Sequence, residues 1–463
     1  MLDVAAALLV LTALLSYANQ RWLKLPMTIG VMAIALALSL ALVALDAVGL
    51  SGGLHAREQG LIRSIDFSEL LMQGMLSVLL FAGALNVDLR ALRDYRWQVG
   101  LLAFIGTAVS TAVVGLALWW AIGLIGLPVP LIECLLFGAL ISPTDPIAVI
   151  GMLKSAAAPR NLEVVIAGES LFNDGVGVVL FTLVLNVALE GGVPTVSRAA
   201  WLLAQQAGGG LLYGWLLGGI TCRLLRGIEA HAAAVLLTLA AVVGGYTLAD
   251  HLQVSGPLAM VVVGLMVGQH GRDGALADDI RHHIDVFWEL LDDILNAVLF
   301  VLVGMEVITI HFPLAPAPAL LAGIAAIAIT LAARGLTVGL PVALAHRAFR
   351  LPAGAAAVLT WGGLRGGISI ALALAIPPGP WRETLIALTY CVVAFAILVQ
   401  GLTFGRLVRA TLRNDAGAPR FSLPPGGSPA LIDPPTGRAC ENRGFQNKTR
   451  TGRGSEGADQ DFR

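Results

Sequence analysis

Charge is scarce in this chain. Only 13% of its 463 residues are Asp, Glu, Lys or Arg, against 57% hydrophobic ones, whereas a soluble domain carries roughly a quarter charged residues. That shortage excludes an ordinary water-soluble fold, and the mean hydropathy of +0.82 belongs to a polytopic membrane protein. Cysteine is scarce as well: Cys134, Cys222, Cys391 and Cys440 are scattered without a Cys-x-x-Cys pair, which excludes a disulfide framework or a zinc ribbon. With a net charge of −1 and its charges collected in short loops, the chain offers no basic surface for nucleic acid. It also lacks His-Glu-x-x-His and Gly-x-Ser-x-Gly, so an intramembrane enzyme would have neither a metal ligand set nor an activated nucleophile. No enzymatic activity and no cofactor are expected.

What the chain has is apolar length. Thirteen segments approach the ~20 residues needed to cross a bilayer core: 3–20, 27–49, 67–87, 98–122, 127–153, 162–189, 200–222, 231–250, 254–270, 284–310, 315–345, 353–376 and 384–406. Loops after odd-numbered spans, with Arg406, Arg409 and Arg413 at the end of the last, carry sixteen Lys and Arg; the other loops carry four, Arg57, Arg63, Arg198 and Arg382. The positive-inside rule then places the N-terminus outside and the C-terminus in the cytoplasm. Met1-Leu2-Asp3-Val4 lacks the basic start of a cleaved signal, so the first helix is expected to be retained. Trp97, Trp119 and Trp120, near span ends, fit an interfacial aromatic belt. The expected organisation is a membrane domain over 1–410 and a polar, Gly- and Pro-rich tail over 411–463, disordered and cytoplasmic.

Two spans cannot be straight helices. Ser142-Pro143-Thr144-Asp145-Pro146 sets two prolines around Thr-Asp in span five, and Gly362-Gly363-Leu364-Arg365-Gly366-Gly367 sets four glycines around an arginine in span twelve. Each proline removes a backbone hydrogen bond. If spans one to six and eight to thirteen are inverted halves, the two breaks correspond, which is the pattern of a transporter whose discontinuous helices cross near the midplane. The fold expected is therefore all-α: about thirteen transmembrane helices in two inverted six-helix repeats, with helices five and twelve broken. Broken helices expose about half a charge at each end; Asp145 and Arg365 have the signs to balance them, as structural counter-charges or as part of a site.

The densest chemistry lies in span six, at Gly168-Glu169-Ser170-Leu171-Phe172-Asn173-Asp174-Gly175. Ionisable groups inside membrane spans are rare and by default mark an ion or proton pathway. On a helix Glu169 and Asn173, and Ser170 and Asp174, are four apart and share a stripe. A hard cation wants several oxygens; Asp174 and Ser170 supply two, and Thr144 with carbonyls freed in span five supplies more. Desolvation of Asp174 lets it hold either a proton or a cation, and that mutual exclusion suffices for exchange. Glu169 is expected to pair with Arg365, removing a like charge beside Asp174; Arg365 neutralising Asp174 in the empty state is the other arrangement the sequence permits. A channel, by contrast, needs a continuous pore lined by filters or charged rings, and two compensated breaks fit alternating access better.

These three stretches, together with Phe81-Ala82-Gly83-Ala84-Leu85 and Leu291-Asp292-Asp293-Ile294-Leu295-Asn296, resemble the signatures of the monovalent cation:proton antiporter family that contains bacterial NhaP-type and animal sodium/proton exchangers. The resemblance spans roughly residues 1–410. It implies a homodimeric, electroneutral antiporter of the bacterial cytoplasmic membrane, embedded in lipid and exchanging Na+ (or K+ or Li+) for H+. It further implies that Asp174 is the shared cation and proton site, that Asn173, Ser170 and Thr144 help form it, and that Glu169 and Arg365 make a bracing ion pair. The chain departs from several relatives in having Ala82 where they carry an acid; Asn86 or water is expected to fill that place.

Two other groups are assigned lesser roles. Arg334 is deep enough to need a partner, with Asp292 or Asp293 the candidates. His282 and His283, with Asp285 at the cytoplasmic start of span ten, have the chemistry of a pH sensor but are read first as a solvated loop.

Overall fold

In lipid a single apolar segment can satisfy its own backbone only as a helix. The computed structural model describes residues 2–47, 74–156, 158–190, 196–274, 276–306, 316–352 and 354–412, and every regular element among them is helical. The helices that position the site are α1 (Leu2–Ala18), α2 (Met27–Ala47), α3 (Leu76–Asn86), α4 (Thr107–Leu124), α5 (Leu131–Ile141), α6 (Ile147–Ser155), α7 (Arg160–Glu190), α8 (Gly209–Leu225), α9 (His231–His251), α10 (Gly256–Arg272), α11 (Asp278–Glu306), α12 (Pro316–Arg334), α13 (Ala355–Trp361), α14 (Gly367–Leu374) and α15 (Arg382–Phe395). Five helical stretches among the described residues, Arg96–Leu124, Arg160–Glu190, His231–His251, Ala317–Ala345 and Arg382–Thr411, are each long and apolar enough to cross a membrane unaided. Trp97, Trp119 and Trp120 are exposed on the first of these. The tail expected over 411–463 falls outside the described residues from 413 onward, as do residues 67–73 of the third expected span.

Both expected breaks are present. α5 stops at Ile141 and α6 resumes at Ile147, because neither Pro143 nor Pro146 can donate to a preceding turn. Pro146 instead begins the second half, its carbonyl accepting from Ile150 N at 2.8 Å. α13 stops at Trp361 and α14 starts at Gly367, after Gly366 in an extended conformation (φ −114°, ψ −161°). The breaks touch: Asp145 N donates to Leu364 O at 2.8 Å, and a Cβ on Gly366 would lie 2.5 Å from an Asp145 carboxylate oxygen. Only glycine permits that approach.

Helix α10 lies against α3 with the same economy of side chain. Gly264 and Gly268 are four apart, and a Cβ on Gly268 would sit 2.3 Å from Leu85 O; small residues at this spacing let membrane helices pack backbone to backbone. Trp288 of α11 completes the group, with its ring 4.5 Å from that of Phe81 and its Nε1 donating to Thr238 Oγ1 of α9 at 3.0 Å. Helix α11 starts at Asp278, six residues before the apolar span was expected to begin. Its first turn is polar, and Asp278 and Asp279 there suit the positive end of the helix. His282 and His283 are thus helical residues and not part of a loop.

Candidate functional site

The middle of α7 faces the proline break, and Asn173 joins the two. Its Oδ1 accepts from Thr144 N at 3.2 Å, while its Nδ2 donates to Thr144 Oγ1 at 2.8 Å and to Glu169 Oε1 at 2.9 Å. The break orphans the Thr144 amide, and a buried donor left unpaired is costly; the side chain of Asn173 replaces the missing helical partner. Ser170 Oγ and Thr144 Oγ1 lie 2.9 Å apart, which fixes the hydroxyl of the break against the helix. Glu169, Ser170, Asn173 and Thr144 are all buried.

Asp174, one residue beyond Asn173, is 5% exposed and lines a cavity of about 80 Å³ together with Thr144 and Asp145 of the proline break and Gly366 of the glycine break. A single water needs only about 10–15 Å³, so the cavity has room for a small cation with part of its hydration shell. Asp145, Glu169 and Arg365 are among the charged groups that act on Asp174. Of the residues expected to form the site, the structure brings Asp174, Asn173, Ser170, Thr144 and Asp145 together.

The arginines are distributed differently from expectation. Glu169 does not hydrogen-bond Arg365: both its oxygens are taken by Arg334, at 2.6 Å from Nη1 and 2.7 Å from Nη2. This fork-to-fork geometry is the strong form of the Arg–carboxylate pair. Arg334 Nε also donates to Leu359 O of α13 at 3.3 Å, so the same residue is not the partner of Asp292 or Asp293. Arg365 uses Nη1 to donate to Ser142 O at 2.5 Å and Pro143 O at 2.8 Å. Those carbonyls belong to the C-terminal end of α5, which has no following N–H groups to bond and carries partial negative charge. The cation of one break therefore neutralises the end of the other, and the ion pair forms between α7 and α12.

Three residues of the cavity wall were not assigned to the site from the sequence. Asp292 and Asn296 of α11 and Ser369 of α14 all line it. Asn296 Nδ2 donates to Asp292 Oδ1 at 3.1 Å, repeating the acid–amide spacing of Glu169 and Asn173, and that spacing was the available signal. The Ser369 hydroxyl is buried with no hydrogen-bond partner, although its residue type carries no signal of its own. On the α3 side the wall is Leu79, Leu80 and Gly83. Asn86 Nδ2 turns back to donate to Ala82 O at 3.4 Å and does not supply the polar group expected near Ala82.

The sodium/hydrogen exchanger transmembrane family model matches residues 9–410. The chain is 50% identical over 424 residues to the Na(+)/H(+) antiporter NhaP of Pseudomonas aeruginosa, covering 90% of this chain and 98% of that one. It is 33% identical over 382 residues to the Na(+)/H(+) antiporter NhaH of Halobacillus dabanensis, covering 79% and 91%. Among solved structures, the sodium proton antiporter MjNhaP1 of Methanocaldococcus jannaschii superposes with a TM-score of 0.68 at 20% identity, covering 88% of this chain and 97% of that one; this likeness concerns the fold.

Proposed function

The chain belongs to the sodium/hydrogen exchanger family, and from that premise we propose that it is a secondary antiporter exchanging Na+ for H+ across the bacterial cytoplasmic membrane by competition at Asp174. The observation that carries the reading is the placement of that carboxylate. It lines a cavity at the crossing of two broken helices, while Arg334 is held by Glu169 and Arg365 donates to the carbonyls of α5. Neither guanidinium hydrogen-bonds Asp174, although Arg365 Nε is buried without a partner, and the carboxylate is left to a mobile partner. A bare carboxylate in such a place is costly, so it is neutralised by a proton or by a cation and not by both.

The oxygens for the cation come from Asp174, Ser170 and Thr144, with Asp145 in the cavity wall and Asn173 holding Thr144 in place. One carboxylate that trades one proton for one monovalent cation moves no net charge, so the cycle is electroneutral. Helix ends that meet at the crossing let the site face each side in turn as one broken pair shifts against its surroundings. The thirteen-span topology with two inverted repeats, the N-terminus outside, the C-terminus inside, and assembly as a homodimer belong to the same reading. Cysteine accessibility from each side of the membrane tests the orientation.

The deciding experiment is proton flux in proteoliposomes against a panel of Na+, K+ and Li+ over pH. Competition at one carboxylate gives a bell-shaped profile that moves with cation concentration. Asp174→Asn abolishes exchange; full exchange in that variant would sink the assignment. A profile driven by K+ and indifferent to Na+ would convert the reading to a K+/H+ antiporter, and cation current without coupled proton movement would make it a channel.

A further inference from the structure

A second cluster of potential ligands lies away from the cavity, where α9 and α11 begin. His231 is the first residue of α9, and Asp279 and His283 lie in the opening turns of α11. Each of the three presents one ligand atom, and these atoms lie within 4.8 Å of one another. His231 Nε2 already contacts Asp279 Oδ2, His283 Nδ1 lies 3.5 Å from Asp279 Oδ1, and the two imidazoles face each other with centroids 4.2 Å apart. We propose that His231, Asp279 and His283 form a binding site for a borderline divalent transition cation of the zinc class, which staples α9 to α11.

The donor set selects the ion. Two imidazoles and one carboxylate suit zinc, cobalt or nickel, whereas the hard cations want a shell of oxygens. Na+ is therefore a poor occupant, and the site is separate from the one that carries the transported ion. Part of the support is already in place: His283 Nδ1 lies 2.7 Å from Asp279 O, a backbone carbonyl of the kind that orients metal-bound histidines. Tetrahedral coordination at ~2.1 Å sets ligands about 3.4 Å apart, so the three groups close in slightly around the ion. Their side chains are 44%, 67% and 48% exposed for His231, Asp279 and His283, which gives both the freedom to do so and an open fourth position for water. His282, also beside this groove, is the neighbouring imidazole outside the cluster and serves as its control.

The staple matters because of what α11 carries. Asp292 lies nine residues beyond His283, about 13 Å along the helix, and lines the cavity beside Asp174. An ion at the head of α11 fixes that helix to α9 a few turns before its cavity face.

Isothermal titration of the purified full-length protein with Zn2+, the purification tag removed, tests the site. The expected result is one ion per chain, with affinity reduced tenfold or more in His231→Ala and in His283→Ala and retained in His282→Ala. Zn2+ also raises the melting temperature of the parent protein and not of the two weakened variants, whose metal-free melting curves match the parent and so exclude misfolding. Asp174→Asn keeps full Zn2+ binding, which separates this site from the transport site. Absence of stoichiometric binding, equal binding in the His231→Ala/His283→Ala double variant, or loss of binding in Asp174→Asn would each overturn the proposal.

Discussion

The two helix breaks meet at one point but are made of opposite materials. The break between α5 and α6 is built from prolines, which withhold backbone donors; it leaves the carbonyls of Ser142 and Pro143 and the side chains of Thr144 and Asp145 projecting where a helix would have consumed them. The break between α13 and α14 is built from glycines, which withhold side chains; Gly366 sits where a Cβ would strike Asp145 at 2.5 Å, and Gly363 where one would lie 2.6 Å from Arg334 Nε. The first supplies ligands and the second supplies room. Each is propped by an arginine from elsewhere: Arg365 of the glycine break holds the carbonyls of the proline break, and Arg334 of α12 holds Leu359 O beside the glycine break. Side-chain and carbonyl oxygens are thus concentrated at the proline break, and close approach to side chains of the neighbouring helices at the glycine break.

That division is open to direct attack, and the prop at Arg334 is the place where most is expected to be lost. Arg334→Met leaves Glu169 buried without its partner, which costs about 3–5 kcal/mol; the measurement is the melting temperature in detergent. Glu169→Gln added to Arg334→Met recovers part of the loss, and a double variant no better than the single would show that the arginine acts through Leu359 alone. Next comes Gly366→Ala, whose added methyl forces Asp145 away. Exchange falls at least tenfold, about 1.4 kcal/mol in transition-state terms, while the protein remains folded; undiminished flux would mean that the glycine break does not set the approach of the two helices.

Thr144→Val removes a hydroxyl and keeps the shape, and so probes the proline side alone. The apparent affinity for Na+ weakens several-fold with little change in maximal rate, read from flux against cation concentration. Equal weakening for Na+ and for H+ would assign Thr144 to positioning instead. Outside both breaks, Asp88 caps the short helix Leu89–Asp94, accepting from Arg90 N and Ala91 N, and pairs with Arg160 at 2.9 Å. Partial desolvation raises its carboxyl, but those amides, with Arg272 and Arg160, hold it below the usual carboxylate range. A carboxyl depressed in the folded state contributes stability above its ordinary titration range and loses it as the pH falls through the folded value. Asp88→Ala therefore costs about 1 kcal/mol at neutral pH, reduced by solvent screening of its partner, and less once the parent is acidified below that value, when only the neutral cap remains.

Much of this arrangement was legible in the residues. Two prolines around Thr144-Asp145 and four glycines around Arg365 can hardly continue a helix, and the four-residue spacing of Glu169 with Asn173 put an acid and an amide on one stripe of α7. The partner of Glu169 was not legible. Charge logic asks only that some buried arginine neutralise it, and Arg334 and Arg365 answer equally well; the choice depends on which helix packs against α7, a matter of tertiary distance. Arg365 is drawn instead to the backbone carbonyls of α5, acceptors that appear in no list of side chains. Asp292 escaped assignment for a related reason, since its acid–amide spacing was visible but the face of α11 turned to the cavity was not. The early start of α11 was hidden because hydropathy detects the part of a helix that lipid covers and not its polar first turns.

The contact between the breaks also sets a clock on biogenesis. Ser142 and its partner Arg365 are 223 residues apart in the chain, and translation proceeds at about 5–20 residues per second. On the order of 10–45 s therefore separates the synthesis of α5 from the arrival of the guanidinium that covers its terminal carbonyls. During that interval the proline break sits in or beside the membrane with polar backbone groups uncovered, dependent on water or on the insertion machinery. A chain terminated before residue 365 would leave it in that condition permanently, which makes the first half of this protein a natural substrate for membrane quality control until the second half arrives.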